Sequence, residues 1–185
     1  ATISTTSATI THGDVNGDGY SDIQVGLPSA DRVVVVYGSA EGIKRSTGAL
    51  ARAMLTVNGQ TTGDAFGSAV ASGRDLNGDG IHDLVVGASG YLSSTGRVYV
   101  YHGGASGVIT PAAGTINGGA SSEQFGRILL LDDMDADGRT DLVASAVGVS
   151  TVGVVRVYMG GATTTGLQTS PRTTYTGSAT NEALG

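Results

Sequence analysis

The chain has 185 residues, with 31 glycines, three prolines, no cysteine and a formal net charge of −6. The lack of cysteine excludes a disulfide framework and thiol chemistry, and ten scattered basic residues in an acidic chain argue against a nucleic-acid interface. No segment is apolar for long enough to insert into a membrane. Apolar residues make up 39% of the chain and fall in short runs, which predicts strands and a packed core.

Three acidic loops with the same spacing follow one another along the chain. Residues 14–22 read DVNGDGYSD, residues 75–83 read DLNGDGIHD and residues 133–141 read DMDADGRTD. Each loop has oxygen-bearing side chains at positions 1, 3, 5 and 9, and a glycine at position 6 that permits a tight turn. Ten of the 16 acidic residues lie in these loops. Such a density of carboxylates predicts a bound cation that cancels their mutual repulsion.

Ca²⁺ is the cation that this pattern favours, because Ca²⁺ accepts oxygen ligands in a flexible geometry whereas Mg²⁺ requires a strict octahedron. We expect about three Ca²⁺ per chain, with the backbone carbonyl of position 7 completing each shell. The predicted ligands are Asp14, Asn16, Asp18, Tyr20 and Asp22 in the first loop; Asp75, Asn77, Asp79, Ile81 and Asp83 in the second; and Asp133, Asp135, Asp137, Arg139 and Asp141 in the third.

The loops have two other interpretations. An EF-hand requires a glutamate at position 12 and a helix on each side. Position 12 is Val25, Val86 or Ala144, and strand-like residues follow each loop, so the EF-hand is rejected. Solvated Asp-Gly turns are a plausible interpretation of one such loop. Three copies with identical spacing favour cation binding.

Strands are predicted in a fixed order around each loop. In the second unit a strand at 68–72 precedes the loop, an apolar strand at 84–88 follows it, and strands at 97–101 and near 114–117 complete the unit. The loops begin 61 and then 58 residues apart, and a period of this length is typical of a solenoid or propeller. Four short strands make up a propeller blade. The sequence therefore predicts an all-β chain of three four-stranded blades, in repeats of approximately 7–58, 59–117 and 118–176.

Two short elements flank the loops. A Phe-Gly element occurs at 66–67 and 125–126 and, as Leu-Gly, at 184–185; a Gly-Ala-Pro element occurs in altered forms at 26–28, 87–89 and 145–147. These elements resemble the FG-GAP repeats of the integrin α-chain β-propeller, and Phe66 and Phe125 are predicted to be core residues. The resemblance implies calcium loops between the first two strands of each blade, a ring of usually seven blades, and recognition of proteins or glycans.

Three blades are too few to close a ring, since propellers typically have about four to eight. Alignment of residues 7–14 with residues 68–75 predicts that the N-terminal repeat lacks its outer strand, while the tail carries a spare copy of the Leu-Gly element. One hypothesis is a homodimer that forms a six-bladed ring, with residues 173–185 as the closing strand. The other is a fragment of a longer, seven-bladed propeller.

A few residues outside the ligand positions are further candidates. His82, at position 8 of the second loop, is expected to point to solvent. Asp64 and Glu123 occupy equivalent repeat positions and are expected to accept hydrogen bonds from backbone donors at a turn. Tyr20 and Tyr91 are candidates for stacking on a sugar, although ordinary loop tyrosines are the favoured interpretation.

No catalytic residue is predicted. The sequence contains neither a Gly-x-Ser-x-Gly elbow nor a phosphate-binding loop, and its carboxylates repeat with the units, whereas a catalytic pair would occur once. We expect a non-enzymatic, secreted or cell-surface recognition module, adhesive or lectin-like, whose partner is a glycan or an extracellular protein. The alternatives are an accessory domain of a larger secreted enzyme and a structural scaffold.

Overall fold

The structure is a computed structural model that describes residues 8–43, 54–147 and 152–178. Within these residues the strands form three four-stranded antiparallel sheets. The first sheet contains β1 (Thr9–Gly13), β2 (Asp22–Leu27), β3 (Arg32–Val36) and β4 (Met54–Asn58). The second contains β5 (Phe66–Ser72), β6 (Leu84–Ala88), β7 (Arg97–Tyr101) and β8 (Gly114–Asn117). The third contains β9 (Leu129–Asp132), β10 (Asp141–Ala146), β11 (Val154–Tyr158) and β12 (Thr173–Thr176).

Each sheet is a meander in which every strand pairs with the next strand of the chain. The predicted all-β class and the four strands of the second unit are confirmed, with β5 beginning two residues earlier than expected. Helical structure in the described residues is limited to a 3₁₀ turn at Pro28–Ala30 and a single turn at Tyr91–Ser94. None of the described helices is long and apolar enough to span a membrane.

The prediction that the N-terminal repeat lacks its outer strand is wrong. The first sheet obtains all four strands from its own residues, and β4 pairs with β3 along its whole length, from Arg32–Asn58 to Val36–Met54. Thr173–Thr176 pairs with β11 as the fourth strand of the third sheet. Residues 179–185, including the Leu-Gly element, lie outside the described residues, so the closing strand at 173–185 stays a prediction.

Apolar side chains pack the sheets face to face in two clusters. The cluster between the first and second sheets includes Val33 and Phe66, and the cluster between the second and third includes Val85 and Phe125. All four of these side chains are fully buried, which confirms the two phenylalanines as core residues. The Phe66 ring meets the ring of Tyr99 edge to face at 5.3 Å, a favoured aromatic geometry.

Glycines allow neighbouring sheets to approach closely. A Cβ atom at Gly87 of β6 would lie 1.9 Å from the carbonyl oxygen of Gly126, and one at Gly26 of β2 would lie 2.3 Å from that of Gly67. The glycine of each Phe-Gly element therefore rests on a glycine in the second strand of the preceding sheet. The sequence predicts the same part for Gly148, which follows the apolar strand of the third unit, but Gly148 lies outside the described residues.

Candidate metal centres

Each acidic loop joins the first two strands of its sheet, as the family resemblance implies. The loops connect β1 to β2, β5 to β6 and β9 to β10. Hydrogen bonds run from the second loop to the first and from the third loop to the second, so all three lie together at one end of the stacked sheets.

Side chains at positions 1, 3 and 5 are held by backbone N–H groups of their own loop. In the first loop the Asp14 carboxylate accepts from Gly19 N at 2.8 Å, Asn16 Oδ1 accepts from Asp18 N at 3.1 Å, and Asp18 Oδ1 accepts from Tyr20 N at 2.9 Å. These bonds curl the loop around its own oxygen atoms. The same bonds join Gly80 to Asp75, Asp79 to Asn77 and Ile81 to Asp79, and Gly138 to Asp133, Asp137 to Asp135 and Arg139 to Asp137.

The aspartate at position 9 is the buried anchor of each loop. Asp22, Asp83 and Asp141 are all 0% exposed. One carboxylate oxygen of Asp83 accepts from Leu76 N at 2.6 Å and the other accepts from Gly103 N at 2.8 Å. Position 9 thereby ties the start of its loop to the turn that follows the third strand of the sheet. The equivalent donors are Val15 and Gly38 for Asp22, and Met134 and Gly160 for Asp141.

Burial makes the charged form of two of these anchors, Asp22 and Asp83, unfavourable. Desolvation raises the pKa of Asp22 and of Asp83 above the ordinary value, although the backbone hydrogen bonds to each carboxylate act in the opposite direction. The nearby carboxylates Asp14 and Asp18 raise the pKa of Asp22 further. A cation within the loop would reverse this balance, because an adjacent positive charge favours the carboxylate form.

The donor set fits a hard divalent cation. In the third loop, ligand oxygens of Asp133, Asp135 and Asp141 lie within 4.8 Å of one another. The side-chain donors in all three loops are oxygen atoms of aspartate and asparagine, the ligand type that hard cations prefer. The third loop has aspartate at position 3 where the others have asparagine, so its need for a compensating positive charge is the greatest.

Side chains at position 8 connect neighbouring loops, which the sequence reasoning missed. The ring of His82 is half-buried, and its Nδ1 accepts a hydrogen bond from Asp14 N at 3.0 Å. The expectation that His82 points to solvent is therefore wrong. Thr140, at position 8 of the third loop, donates from Oγ1 to the carbonyl oxygen of Asp75 at 2.7 Å. In both cases position 8 of one loop contacts position 1 of the loop before it.

A cleft of about 510 Å³ separates the second and third loops. Its lining includes Arg74, His82 and Arg139. Between the first two loops, Ile81 Cδ1 would lie 3.2 Å from a Cβ atom at Gly17, whereas no atom would lie within 4 Å of a Cβ atom at the equivalent Gly78 in the second loop. The volume falls within the range of small-ligand sites, roughly 300–1,000 Å³.

Asp64 and Glu123, the acidic residues at equivalent repeat positions outside the loops, have different surroundings. Glu123 Oε2 accepts from the backbone N–H groups of Gly119 and Ala120, as expected for a turn. The sequence did not predict that its second oxygen forms an ion pair with Arg156. Asp64 is 7% exposed, and its Oδ2 has no hydrogen-bond partner among the described residues.

The sheets and loops define a class of protein: an all-β repeat protein with propeller-like four-stranded sheets, each carrying one acidic loop between its first two strands. Residues 66–101 match the model of the FG-GAP repeat family. This match, together with the similarity to integrin alpha chains described next, supports an integrin-like FG-GAP repeat family.

Three relatives illustrate the similarity. Phosphatidylinositol-glycan-specific phospholipase D of Mus musculus is 37% identical over 150 residues, which are 74% of this chain and 18% of the relative. Integrin alpha-6 of Gallus gallus is 35% identical over 135 residues, 67% of this chain and 12% of the relative. Integrin alpha-V of Gallus gallus is 32% identical over 155 residues, which are 77% of this chain and 15% of the relative. The chain therefore spans less than a fifth of the length of these relatives.

Proposed function

We propose that this chain is a calcium-stabilised extracellular recognition module without catalytic activity of its own. The observation that carries the proposal is the repeated loop, in which oxygen side chains are oriented by backbone N–H groups around a fully buried aspartate. Three such loops concentrate ten carboxylates at one end of the sheets. Bound Ca²⁺ supplies the positive charge that these carboxylates need and fixes the loop geometry.

The proposed ligands are the fifteen residues at positions 1, 3, 5, 7 and 9, with position 7 contributing its backbone carbonyl. The test is a calcium titration by isothermal calorimetry together with metal analysis, with three ions per chain expected. Asp18→Ala and Asp137→Ala should each remove one site. Glu41→Gln, which changes an exposed acidic residue outside the loops, is the matched control. Three ions in either alanine variant would contradict the assigned coordination.

The partner we propose is an extracellular protein or a glycan. The two tyrosine candidates for sugar stacking differ in the structure. Tyr20 is 43% exposed, whereas the Arg97 guanidinium lies 3.7 Å from the centre of the Tyr91 ring and donates to its hydroxyl at 2.5 Å. Tyr20 is therefore the better candidate. A glycan array probed with the calcium-loaded protein and with the Tyr20→Ala variant tests this role of Tyr20. A signal that the unmodified protein gives and the variant lacks supports sugar binding.

A second candidate function is an accessory domain of a larger secreted enzyme. The observation that favours it is the similarity to phosphatidylinositol-glycan-specific phospholipase D of mouse, rat and cattle, at 36 to 37% identity. The intact coding sequence separates the two functions. A catalytic domain in the same reading frame favours the accessory role, and its absence favours a self-sufficient recognition module.

The outer face of the third sheet favours contact with a further blade. Val85 and Val98 of the second sheet are 0% exposed where they meet the third sheet, whereas Val143 and Val155, their equivalents on the outer face of the third sheet, are only half-buried. Leu130, on β9 of the third sheet, is 53% exposed. Repeats 7–58, 59–117 and 118–176 would be blades whose outermost faces need partners.

Two sources of the missing blades follow the two hypotheses on ring closure. A second copy would give a six-bladed homodimeric ring, whereas a longer chain would supply the blades itself. Size exclusion with light scattering in calcium distinguishes them. A species of about 37 kDa, twice the chain mass of 18.3 kDa, supports the homodimer. A monomer refutes it and leaves the longer propeller.

A further inference from the structure

We propose that His82 and Thr140 are positioning residues that couple neighbouring metal sites, so that calcium ions bind to adjacent loops cooperatively. The inference rests on the proposed calcium function and deepens it. Both residues occupy position 8 of a loop, between the proposed ligands at positions 7 and 9. Both contact the backbone of the position-1 residue in the preceding loop, whose carboxylate is itself a proposed ligand.

The contact between the first and second loops is a reciprocal pair of hydrogen bonds. His82 N donates to the Asp14 carbonyl oxygen at 3.0 Å, and Asp14 N donates to His82 Nδ1 at 3.0 Å. Gly104 N, in the turn that Asp83 anchors in the second sheet, also donates to the carbonyl oxygen of Val15 at 3.1 Å. The backbone at positions 1 and 2 of the first loop is thus fixed by the second sheet.

The contact between the second and third loops uses different chemistry at the same place. Thr140 is 8% exposed, and its hydroxyl donates to the Asp75 carbonyl oxygen at 2.7 Å. The Asp75 carboxylate in turn accepts from Gly78 N and Gly80 N, both at 2.7 Å. A change in the backbone at Asp75 therefore alters both the orientation of a proposed ligand and the turn that surrounds the ion.

These contacts give a physical route for cooperativity. Without cations the clustered carboxylates repel one another and oppose the curled form of each loop. An ion in the third loop would fix positions 7 and 9, hold Thr140 between them and so order Asp75 in the second loop. Because part of that ordering is complete before the second ion arrives, its binding costs less conformational entropy, and the affinity rises. The His82 pair extends the same effect to the first loop.

The test is a calcium titration of Thr140→Val, which removes the hydroxyl and nearly preserves the side-chain shape. We expect three sites to remain, with about 2- to 12-fold weaker binding at the coupled site, the range for loss of a single hydrogen bond. The Hill coefficient should fall toward one. Thr140→Ser retains a hydroxyl and should restore the wild-type isotherm. His82→Leu should have the corresponding effect on the first site, and it provides the test if Thr140→Val does not fold.

Ser21 provides the matched control. It occupies position 8 of the first loop, is exposed and makes no hydrogen bond to another loop within the described residues. Ser21→Ala should leave the isotherm unchanged. In excess chelator Thr140→Val should melt only about 1–6 °C below Ser21→Ala, the effect of losing one hydrogen bond; the difference should be larger in calcium, because the coupling acts through bound ions.

The outcomes separate this inference from the proposed function. If the wild-type chain binds no calcium, the proposed function fails. If three ions bind independently, and Thr140→Val and His82→Leu give the wild-type isotherm, the calcium function stands and the coupling is refuted. Cooperative wild-type binding that both variants weaken, and that Thr140→Ser restores, supports the coupling.

Discussion

The ion pair between Glu123 and Arg156 should be a major determinant of stability between the second and third sheets. Glu123 is 0% exposed and lies in the segment that joins those sheets. Its Oε1 pairs with Nη2 of Arg156 on β11, a residue that is 18% exposed, while Oε2 accepts from Ala120 N at 2.9 Å. The same guanidinium lies 5.4 Å from the centre of the Phe125 ring. Removal of the arginine would leave a carboxylate in the interior without its counter-charge.

Arg156→Leu should therefore lower the free energy of unfolding by about 3–5 kcal/mol, the usual range when one partner of a buried pair is removed. For a chain of this size, each kcal/mol lowers the melting temperature by roughly 2–4 °C, so a decrease of about 6–20 °C is expected. Thermal unfolding followed by circular dichroism in saturating calcium measures it. Saturating calcium would fill the proposed sites equally in all variants, so the difference would report the ion pair.

Arg74→Leu is the control for this prediction. Arg74 also pairs with a carboxylate, that of Asp132 at 2.5 Å, but both side chains are about half exposed, at 52% and 50%. Exposed pairs contribute about 0–1 kcal/mol, so the melting temperature should hardly change. Addition of Glu123→Gln to Arg156→Leu removes the unpaired charge and should recover much of the loss. Equal losses in the two arginine variants, or no recovery in the double variant, would refute the reasoning.

Three further predictions concern packing, ionisation and calcium. Gly87→Ala should lower the free energy of unfolding by about 1–3 kcal/mol or more, because its Cβ would lie 1.9 Å from Gly126 O. Gly119→Ala is the control, since the nearest atom to its Cβ would lie at 3.5 Å and the loss should be far smaller. Chemical denaturation measures both free energies. Burial raises the pKa of Tyr101 and of Tyr158 above 10.0. This difference from the unfolded chain contributes stability that is fully present below pH 10.0 and is lost as the pH rises through the folded-state pKa values of the two phenols. Ultraviolet titration should show these phenols ionising later in the folded than in the unfolded chain, and coincident titration would contradict it. Excess EDTA should lower the melting temperature, since each site filled at 100 times its Kd contributes about 2.7 kcal/mol; unchanged melting would rule out structural calcium.

Much of the fold was predictable because its signals are local. The apolar run from Leu84 to Ala88 and the alternating run from Arg97 to Tyr101 are strands in the structure, as predicted. Strand identity depends mainly on side-chain alternation and neighbouring turn residues, which one segment contains by itself. The position of each loop between two strands follows for the same reason. The repeat then extends a local pattern to the whole chain.

Residues that act between sheets were harder to predict. Nothing in the sequence near Glu123 indicates Arg156, which lies more than 30 residues further along the chain. Glu123 has an ion pair, whereas Asp64, at the equivalent repeat position, has a carboxylate oxygen with no hydrogen-bond partner among the described residues. The repeat pattern therefore does not predict the ion pair. Tyr91 is similar: its sequence context is an ordinary loop, but Arg97 covers its ring.

The sequence by itself determined the acidic loops, the order of the strands and the glycines that precede or follow them, since each depends on a few consecutive residues. Only the tertiary structure decided that the first sheet has four strands of its own, that the position-9 aspartates are fully buried, and that His82 and Thr140 join neighbouring loops. These features depend on which surfaces meet when the sheets stack. A histidine at position 82 is compatible with a solvated loop and with a contact between sheets, so its identity alone does not indicate which one forms. Its partner, Asp14, lies 68 residues away in the chain.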